Sequence, residues 1–284
     1  MVTGADGQLG KELRLISRGY SRFDFIFLSK NDLPIDQVDK LHLFFEGVKP
    51  SFCINCAAYT AVDKAEKEKE LAFLVNGESV GKLAMECEKQ GTKLIHISTD
   101  YVFNGNSSEP LKEEDKTSPI NIYGASKLAG EQLALQNHPD TLIIRTSWVY
   151  SEFGNNFVKT MIRLMNEKET ISVVEDQIGS PTYAADLAEL ILQIIDRDKF
   201  IPGIYHYSNE GRISWYDFAQ AIKEFTGSNC KINPVPSSQF PTAANRPNYS
   251  LLDKTKIKSV YSITIPDWKA SLFVCITRIR ENRA

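Results

Sequence analysis

The chain has 284 residues, 42% of them apolar and 24% charged, with a formal net charge of −3. That length accommodates one large α/β domain with a smaller lobe, and the even charge balance argues against nucleic acid or an anionic membrane as a partner. No apolar run approaches the roughly 20 residues needed to span a bilayer, and Met-Val-Thr-Gly leads straight into a glycine turn with no space for a signal peptide, so a cytoplasmic protein is expected.

Met1-Val2-Thr3 is followed by Gly4-Ala-Asp-Gly7-Gln-Leu-Gly10, which opens a helical stretch from about Gln8 to Ile16. Glycines at this spacing permit a tight strand-to-helix turn, close backbone approach to a diphosphate and close helix-to-sheet packing. The diphosphate would sit on the unpaired amides of the helix N-terminus. Only three residues precede Gly4, whereas a strand normally has about five or six. The first strand is therefore expected to be short, or clipped at its start.

Further strands are predicted at Phe25–Leu28, Phe52–Cys56, Leu94–Ser98, Leu142–Thr146 and Ile204–Ser208. Helices are predicted near Gln37–Val48, Glu66–Asn76, Ser79–Gln90, Tyr123–Asn137, Phe157–Asn166, Ala184–Ile195 and Trp215–Phe225. Such alternation predicts a Rossmann-type doubly wound parallel sheet, with right-handed crossovers and helices on both faces. Ligands bind at the carboxyl ends of such strands. Ala57-Ala58-Tyr59, Thr99-Asp100 and Ser147-Trp148 each follow a predicted strand and so converge on one edge.

The second strand bears on the cofactor. An acidic residue at its end commonly binds the adenosine ribose and selects NAD. Here Leu28 is followed by Ser29-Lys30, with no carboxylate until Asp32. A hydroxyl and an ammonium can accept a 2′-phosphate, which predicts NADPH over NADH. The alternative has Lys30 pointing to solvent and both cofactors used.

Cys53, Cys56, Cys87, Cys230 and Cys275 are scattered and odd in number, which argues against a disulfide framework. Cys53 and Cys56 lie in an apolar run read as a buried strand, and no second thiol pair or Cys/His cluster completes a zinc site. The four histidines (His42, His96, His138, His206) are isolated from one another and carry no assigned chemistry. No metal site is predicted. After Tyr150 the alternation gives way to Asn-, Pro- and Ser-rich stretches such as Asn233–Pro241 and Thr242–Tyr249.

Tyr123 and Lys127 supply the chemistry. Four residues apart, they lie on one helix face. A free phenol titrates near 10 and an adjacent ammonium favours the phenolate, moving the group toward neutral working pH. A hydroxyl at Thr99, brought alongside, completes a site that protonates a carbonyl oxygen as hydride arrives. Alone, Tyr-x-x-x-Lys is usually an amphipathic helix face, and a glycine turn is an ordinary connection. Together, in this order, they give the pattern of an extended short-chain dehydrogenase/reductase.

The resemblance sharpens along the chain. Asn55-Cys-Ala-Ala-Tyr-Thr-Ala-Val-Asp-Lys-Ala-Glu66, Ile97-Ser-Thr-Asp-Tyr-Val-Phe103, Arg145-Thr-Ser-Trp-Val-Tyr150, Gly154-Asn-Asn-Phe-Val-Lys-Thr160 and Asp176-Gln-Ile-Gly-Ser-Pro-Thr182 resemble successive motifs of the dTDP-4-dehydrorhamnose reductases. Gly203-Ile-Tyr-His206, Ser214-Trp-Tyr-Asp-Phe218 and Arg246-Pro247 continue the match. The resemblance implies a cofactor domain at 1–149 and 182–206 and a substrate-binding lobe at 150–181 and 207–284.

It implies Tyr123 as proton donor to the C4 ketone oxygen, Lys127 holding nicotinamide ribose hydroxyls and tuning the phenol, and Thr99 hydrogen-bonding the reacting oxygen. Gly4, Gly7, Gln8, Leu9, Gly10, Ser29, Lys30, Ala57, Ala58, Tyr59 and Thr60 would lie along the cofactor. Val62, Asp100, Tyr101 and Trp148 would line the sugar pocket; the plainer readings are a turn aspartate, a packed tyrosine and a core tryptophan. Arg246 would pair with the nucleotide diphosphate, or else sit in a surface salt bridge. The implied reaction is NADPH-dependent reduction of dTDP-4-dehydro-L-rhamnose to dTDP-L-rhamnose. Magnesium and a homodimer are compatible with it and are not readable from the residues. One rival is an epimerase or dehydratase of the same fold, but a dehydratase needs an Asp-Glu pair where Thr99 is followed by Asp100-Tyr101. The other is a non-catalytic regulatory subunit, which loss of Tyr123 or Lys127 would have favoured; both are present.

Overall fold

The computed structural model describes residues 1–281. Its strands are β1 (Val2–Thr3), β2 (Phe27–Leu28), β3 (Phe52–Asn55), β4 (Lys93–Thr99), β5 (Leu142–Thr146), β6 (Val149–Tyr150), β7 (Thr170–Val174), β8 (Ile178–Gly179), β9 (Thr182–Tyr183), β10 (Gly203–Tyr207), β11 (Ile213–Ser214) and β12 (Lys231–Val235). The helices are α1 (Gln8–Ile16), α2 (Val38–Val48), α3 (Val62–Ala65), α4 (Lys69–Phe73), α5 (Ser79–Gln90), α6 (Ile122–Asn137), α7 (Phe157–Glu167), α8 (Ala184–Asp196), α9 (Trp215–Thr226), α10 (Thr255–Tyr261) and α11 (Trp268–Glu281).

Six strands form one sheet in the order β10-β5-β4-β3-β1-β2, every pair parallel. The central strands are near-continuous apolar runs because both faces are covered. Ile54, Ile95 and Ile144 pack with Leu9 and Leu13 of α1 and the apolar face of α8. On the opposite face, Cys53 and Leu94 pack with Leu41 and Phe45 of α2 and Val80 and Leu83 of α5. The chain leaves β1 toward β2 and then crosses back to β3, so strand order reverses between β1 and β3. Ligands of open α/β sheets bind at such a reversal.

The alternation predicted from sequence is present, the first strand is as short as expected, and two elements differ. The first strand is only Val2–Thr3, and the Met1 ammonium donates to the Phe52 carbonyl at 2.7 Å. The second shrinks to Phe27–Leu28, although Phe25 still stacks on Phe27. The helix expected at Glu66–Asn76 begins at Lys69, after the separate turn α3, and runs through a π-helical stretch, Leu74–Glu78, into α5. The wide turn coincides with a set of tertiary hydrogen bonds. Asn76 is fully buried, with Oδ1 accepting from the Tyr59 amide at 2.7 Å and Nδ2 donating to the Tyr59 carbonyl and to Ser126 Oγ, each at 3.0 Å.

A second core is built from Tyr150, α7, β7, β12, α9 and α11, with Phe218, Ile222 and Leu272 at its centre. β7 and β12 pair in parallel. Helix α8 and strand β10 come between its two stretches of chain and belong to the large sheet. Ile257 and Tyr261 of α10, together with Ile265, also pack on the large sheet. Where the two cores meet, Glu12 of α1 accepts from Ser151 Oγ at 2.7 Å, beside Glu152, Tyr183 and Arg278. Among the described residues no helix is long and apolar enough to cross a membrane.

Candidate active site

A cleft of about 740 Å³ runs along the carboxyl ends of the sheet strands, between the sheet and the second core. Its floor starts at the glycine turn. Gly4 has φ +64°, and a Cβ there would lie 2.6 Å from the Ala57 amide. A Cβ on Gly10 would lie 2.5 Å from the Gly4 carbonyl oxygen. Both positions therefore require glycine, and the turn sits where strand order reverses. Gly7 is the N-cap of α1 and caps it with no side chain, so the first-turn amides remain available to an anion. A dinucleotide diphosphate fits this cradle. Ala57, Ala58, Tyr59, Thr60 and Lys30 continue the same wall.

Sequence reasoning brings together every candidate except two. Ser29 and Arg246 do not line the cleft; the remaining predicted residues do. Ser29 is engaged by the carboxylate three residues on: its amide donates to Asp32 Oδ2 at 2.8 Å and its hydroxyl to the same oxygen at 2.6 Å. These two bonds hold the Asp32 carboxyl below its usual range. Of the two donors expected to meet a 2′-phosphate, the Ser29 hydroxyl is thus already used within the loop, while Lys30 lines the cleft. Arg246 makes a bidentate pair with Asp63, at 3.2 and 2.7 Å, and Asp63 also accepts from the Ala244 amide. The salt-bridge alternative is the one present.

At the centre of the cleft, Tyr123 and Lys127 project from the first turns of α6, beside the end of β4. Asn121 caps that helix by accepting from the Gly124 amide at 2.7 Å. Gly124 packs so closely under Tyr101 that a Cβ would meet its carbonyl oxygen at 2.1 Å. Burial pushes the Tyr123 phenol up to about 12, with the Thr99 hydroxyl pulling the other way. Lys127 is 2% exposed, donates to the Ile97 carbonyl at 2.6 Å, and is pushed by burial down to about 8. The expectation that the ammonium would draw the phenol toward neutral pH is corrected here. Desolvation dominates, and Tyr123 stays protonated across the physiological range.

Thr99 Oγ1 donates to Asp100 Oδ1 at 3.0 Å and accepts from the Tyr101 amide at 3.2 Å. Burial raises the Asp100 carboxyl to about 7, and its Oδ2 has no partner. Tyr101 meets Tyr123 edge-on, ring centroids 5.7 Å apart. Below them, Glu131 accepts from Ser98 and takes both forks of Arg145 in a buried pair. This arrangement locks β4 to α6 beneath the reacting groups. Among the described residues no cluster of three or more His, Cys, Asp or Glu side chains could hold a metal ion.

Two contributors were missed from sequence. Trp215, at the start of α9, lines the cleft and stacks on Trp148 with centroids 3.7 Å apart. It lies 67 positions from Trp148 and reads locally as an amphipathic helix residue. Asn76 holds the Tyr59 backbone against the cofactor wall. A buried asparagine inside a predicted helix was the available signal.

Comparison with known proteins adds identity to this geometry. A family model described as the RmlD substrate binding domain matches residues 1–281. The dTDP-4-dehydrorhamnose reductase of Aggregatibacter actinomycetemcomitans is 40% identical over 282 residues, covering 96% of each chain. The spore coat polysaccharide biosynthesis protein SpsK of Bacillus subtilis is 42% identical, covering 96% of this chain and 94% of its own. The crystal structure of dTDP-4-dehydrorhamnose reductase from Bacillus anthracis in complex with NADP superposes with a TM-score of 0.94 at 42% identity, covering 98% of each chain. Matched in this way along nearly its whole length, the chain belongs to the dTDP-4-dehydrorhamnose reductase family.

Proposed function

We propose that this protein reduces the C4 ketone of dTDP-4-dehydro-L-rhamnose to dTDP-L-rhamnose with NADPH, the last step of dTDP-rhamnose synthesis. The observation carrying this reading is the meeting of Tyr123, Thr99 and Lys127 at the centre of a cleft whose floor is the glycine turn. The near full-length kinship to named reductases supports the substrate, and the NADP complex of the Bacillus anthracis protein supports the cofactor. Bound in the cradle of Gly4, Gly7 and Gly10, NADPH supplies the hydride.

The chain's own groups manage the proton. A phenol raised to about 12 is protonated at neutral pH, the form that donates to the ketone oxygen as negative charge develops there. Thr99 keeps accepting from the Tyr101 amide and would turn its hydroxyl proton from Asp100 to that oxygen. Lys127, still largely cationic below pH about 8, lies one helical turn from Tyr123, where it would hold the nicotinamide ribose hydroxyls. Val62, Tyr101 and Trp148 form the apolar and aromatic wall for the deoxysugar.

We assign the cofactor to residues 1–149 with 182–206 and the sugar to 150–181 with 207–284, except that α10 packs on the sheet. The five unpaired cysteines fit a cytoplasmic setting. A homodimer is the assembly we carry with this reading. The test is direct: purified protein is given dTDP-4-dehydro-6-deoxy-L-mannose and NADPH, and loss of the reduced-nicotinamide absorbance is followed. Turnover only with a UDP-linked sugar would point to another nucleotide-sugar enzyme of this fold. No turnover with any sugar would point to a regulatory subunit.

A further inference from the structure

Among the described residues, Trp148 is one of four non-glycine residues with positive φ, at +49°. A bulky side chain is disfavoured in that left-handed region and persists only where its surroundings over-determine it. Here they do so from two sides. Behind the ring is Gly179, where a Cβ would stand 2.9 Å from Trp148 Cε2 and Cζ2. In front is the Trp215 indole, with centroids 3.7 Å apart and planes 13° from parallel. That is tighter than the separation aromatic pairs adopt when left to themselves, so packing imposes the stack.

Trp215 is itself held firmly. Ser214 and Asp217 form a capping box at the start of α9, with Asp217 Oδ2 accepting from the Ser214 amide at 2.8 Å and Ser214 Oγ accepting from the Asp217 amide at 3.1 Å. Phe157 supports the indole at 4.6 Å. The support therefore runs from a helix cap, through Trp215, to Trp148. Both indoles line the cleft.

We propose that Trp215 is a positioning residue for the sugar: it holds the Trp148 indole in its left-handed conformation so that the indole edge left free between Gly179 and Trp215 bounds the place where the deoxyhexose ring lies with its ketone toward Tyr123. This rests on the sugar-nucleotide reading above. It assigns Trp215 no part in cofactor binding or proton transfer.

The test uses the full chain and three variants, Trp215→Ala, Trp215→Phe and Gly179→Ala. Sugar-nucleotide KM and kcat, the NADPH Kd from nicotinamide fluorescence, and the circular-dichroism couplet of stacked indoles are measured for each. Trp215→Ala should abolish the couplet and raise the sugar KM on the order of tenfold, near the upper limit for one aromatic contact. NADPH Kd should not move, and Trp215→Phe should recover most of the KM. Gly179→Ala pushes Trp148 from its other side and should raise the same KM with Trp215 intact, so the idea does not depend on one variant folding. A lost couplet with an unchanged sugar KM would overturn the proposal, as would equal losses in NADPH Kd and sugar KM for both alanine variants. Failure of the parent protein to turn over any sugar is a different outcome, and overturns the reading on which the proposal rests.

Discussion

At the scale of single residues, burial of Tyr123 has a kinetic consequence. The proposed mechanism makes the phenol the acid in the reducing direction, so Tyr123→Phe should lower kcat by about 10²–10⁴-fold while NADPH binding stays close to that of the parent; single-turnover kinetics beside a cofactor titration would check both. Asp32 and Lys30 act in opposite senses on the cofactor. Asp32→Asn weakens the hold on Ser29 and removes a negative charge near the expected 2′-phosphate, so the ratio of NADPH to NADH affinity should rise severalfold; Lys30→Ala should lower it. Kd values for both nucleotides, measured without sugar, decide the point, and an unchanged ratio in both variants would remove this loop from cofactor choice. Tyr123, Lys127 and the glycines were legible in the sequence because their chemistry demands those residue types at fixed spacing. The partners of Ser29 and Arg246 were not. A hydroxyl or guanidinium has many candidate acceptors, and only the folded loops select Asp32 and Asp63.

At the scale of elements, the interface of α5 and α6 explains both what was readable and what was not. The sequence placed α5 and α6 within a residue of their observed bounds. It could not reveal the π-helical turn, because that turn exists to aim Asn76 at Tyr59 and Ser126, neither of which is a local neighbour. Two glycines across this interface differ sharply. A Cβ at Gly130 would meet the Asn76 carbonyl oxygen at 2.0 Å, whereas one at Gly77 would find nothing nearer than 3.5 Å. Gly130→Ala should therefore destabilise by about 1–3 kcal/mol or more as the helices are forced apart. Gly77→Ala, free of any clash, should be neutral or gain up to about 1 kcal/mol from helix propensity. Chemical denaturation of the two variants would separate these cases, and equal effects would refute the close-approach argument.

At the scale of the whole molecule, the junction between the two cores carries a titration. Burial, reinforced by Glu152, raises the Glu12 carboxyl from its ordinary 4.5 to about 8. The folded protein thus keeps a proton that the unfolded chain releases. The stability contributed by this group is complete below about pH 4.5 and is lost as pH rises toward 8. Glu12→Gln should flatten that decline, with its amide still able to donate to Glu152; melting temperatures across pH 5 to 8 (roughly the span between the two titrations) would show it, and a parallel decline in both proteins would exclude Glu12 as its source. The six-stranded parallel sheet was foreseeable from the strand-helix alternation, whereas this junction was not, since its groups lie far apart in sequence and no spacing rule joins Glu12 to Arg278.

One consequence of the topology concerns the order in which the protein can be made. Strand β10 and helix α8 complete the sheet only after the chain has passed through β6–β9, and the second core waits in turn for α9 and α11. Neither core is a contiguous stretch of chain. During synthesis the amino-terminal strands must remain without their last neighbour until β10 emerges, and a ribosome stalled near residue 200 would display β5 as an open parallel edge, a surface competent to pair with another chain.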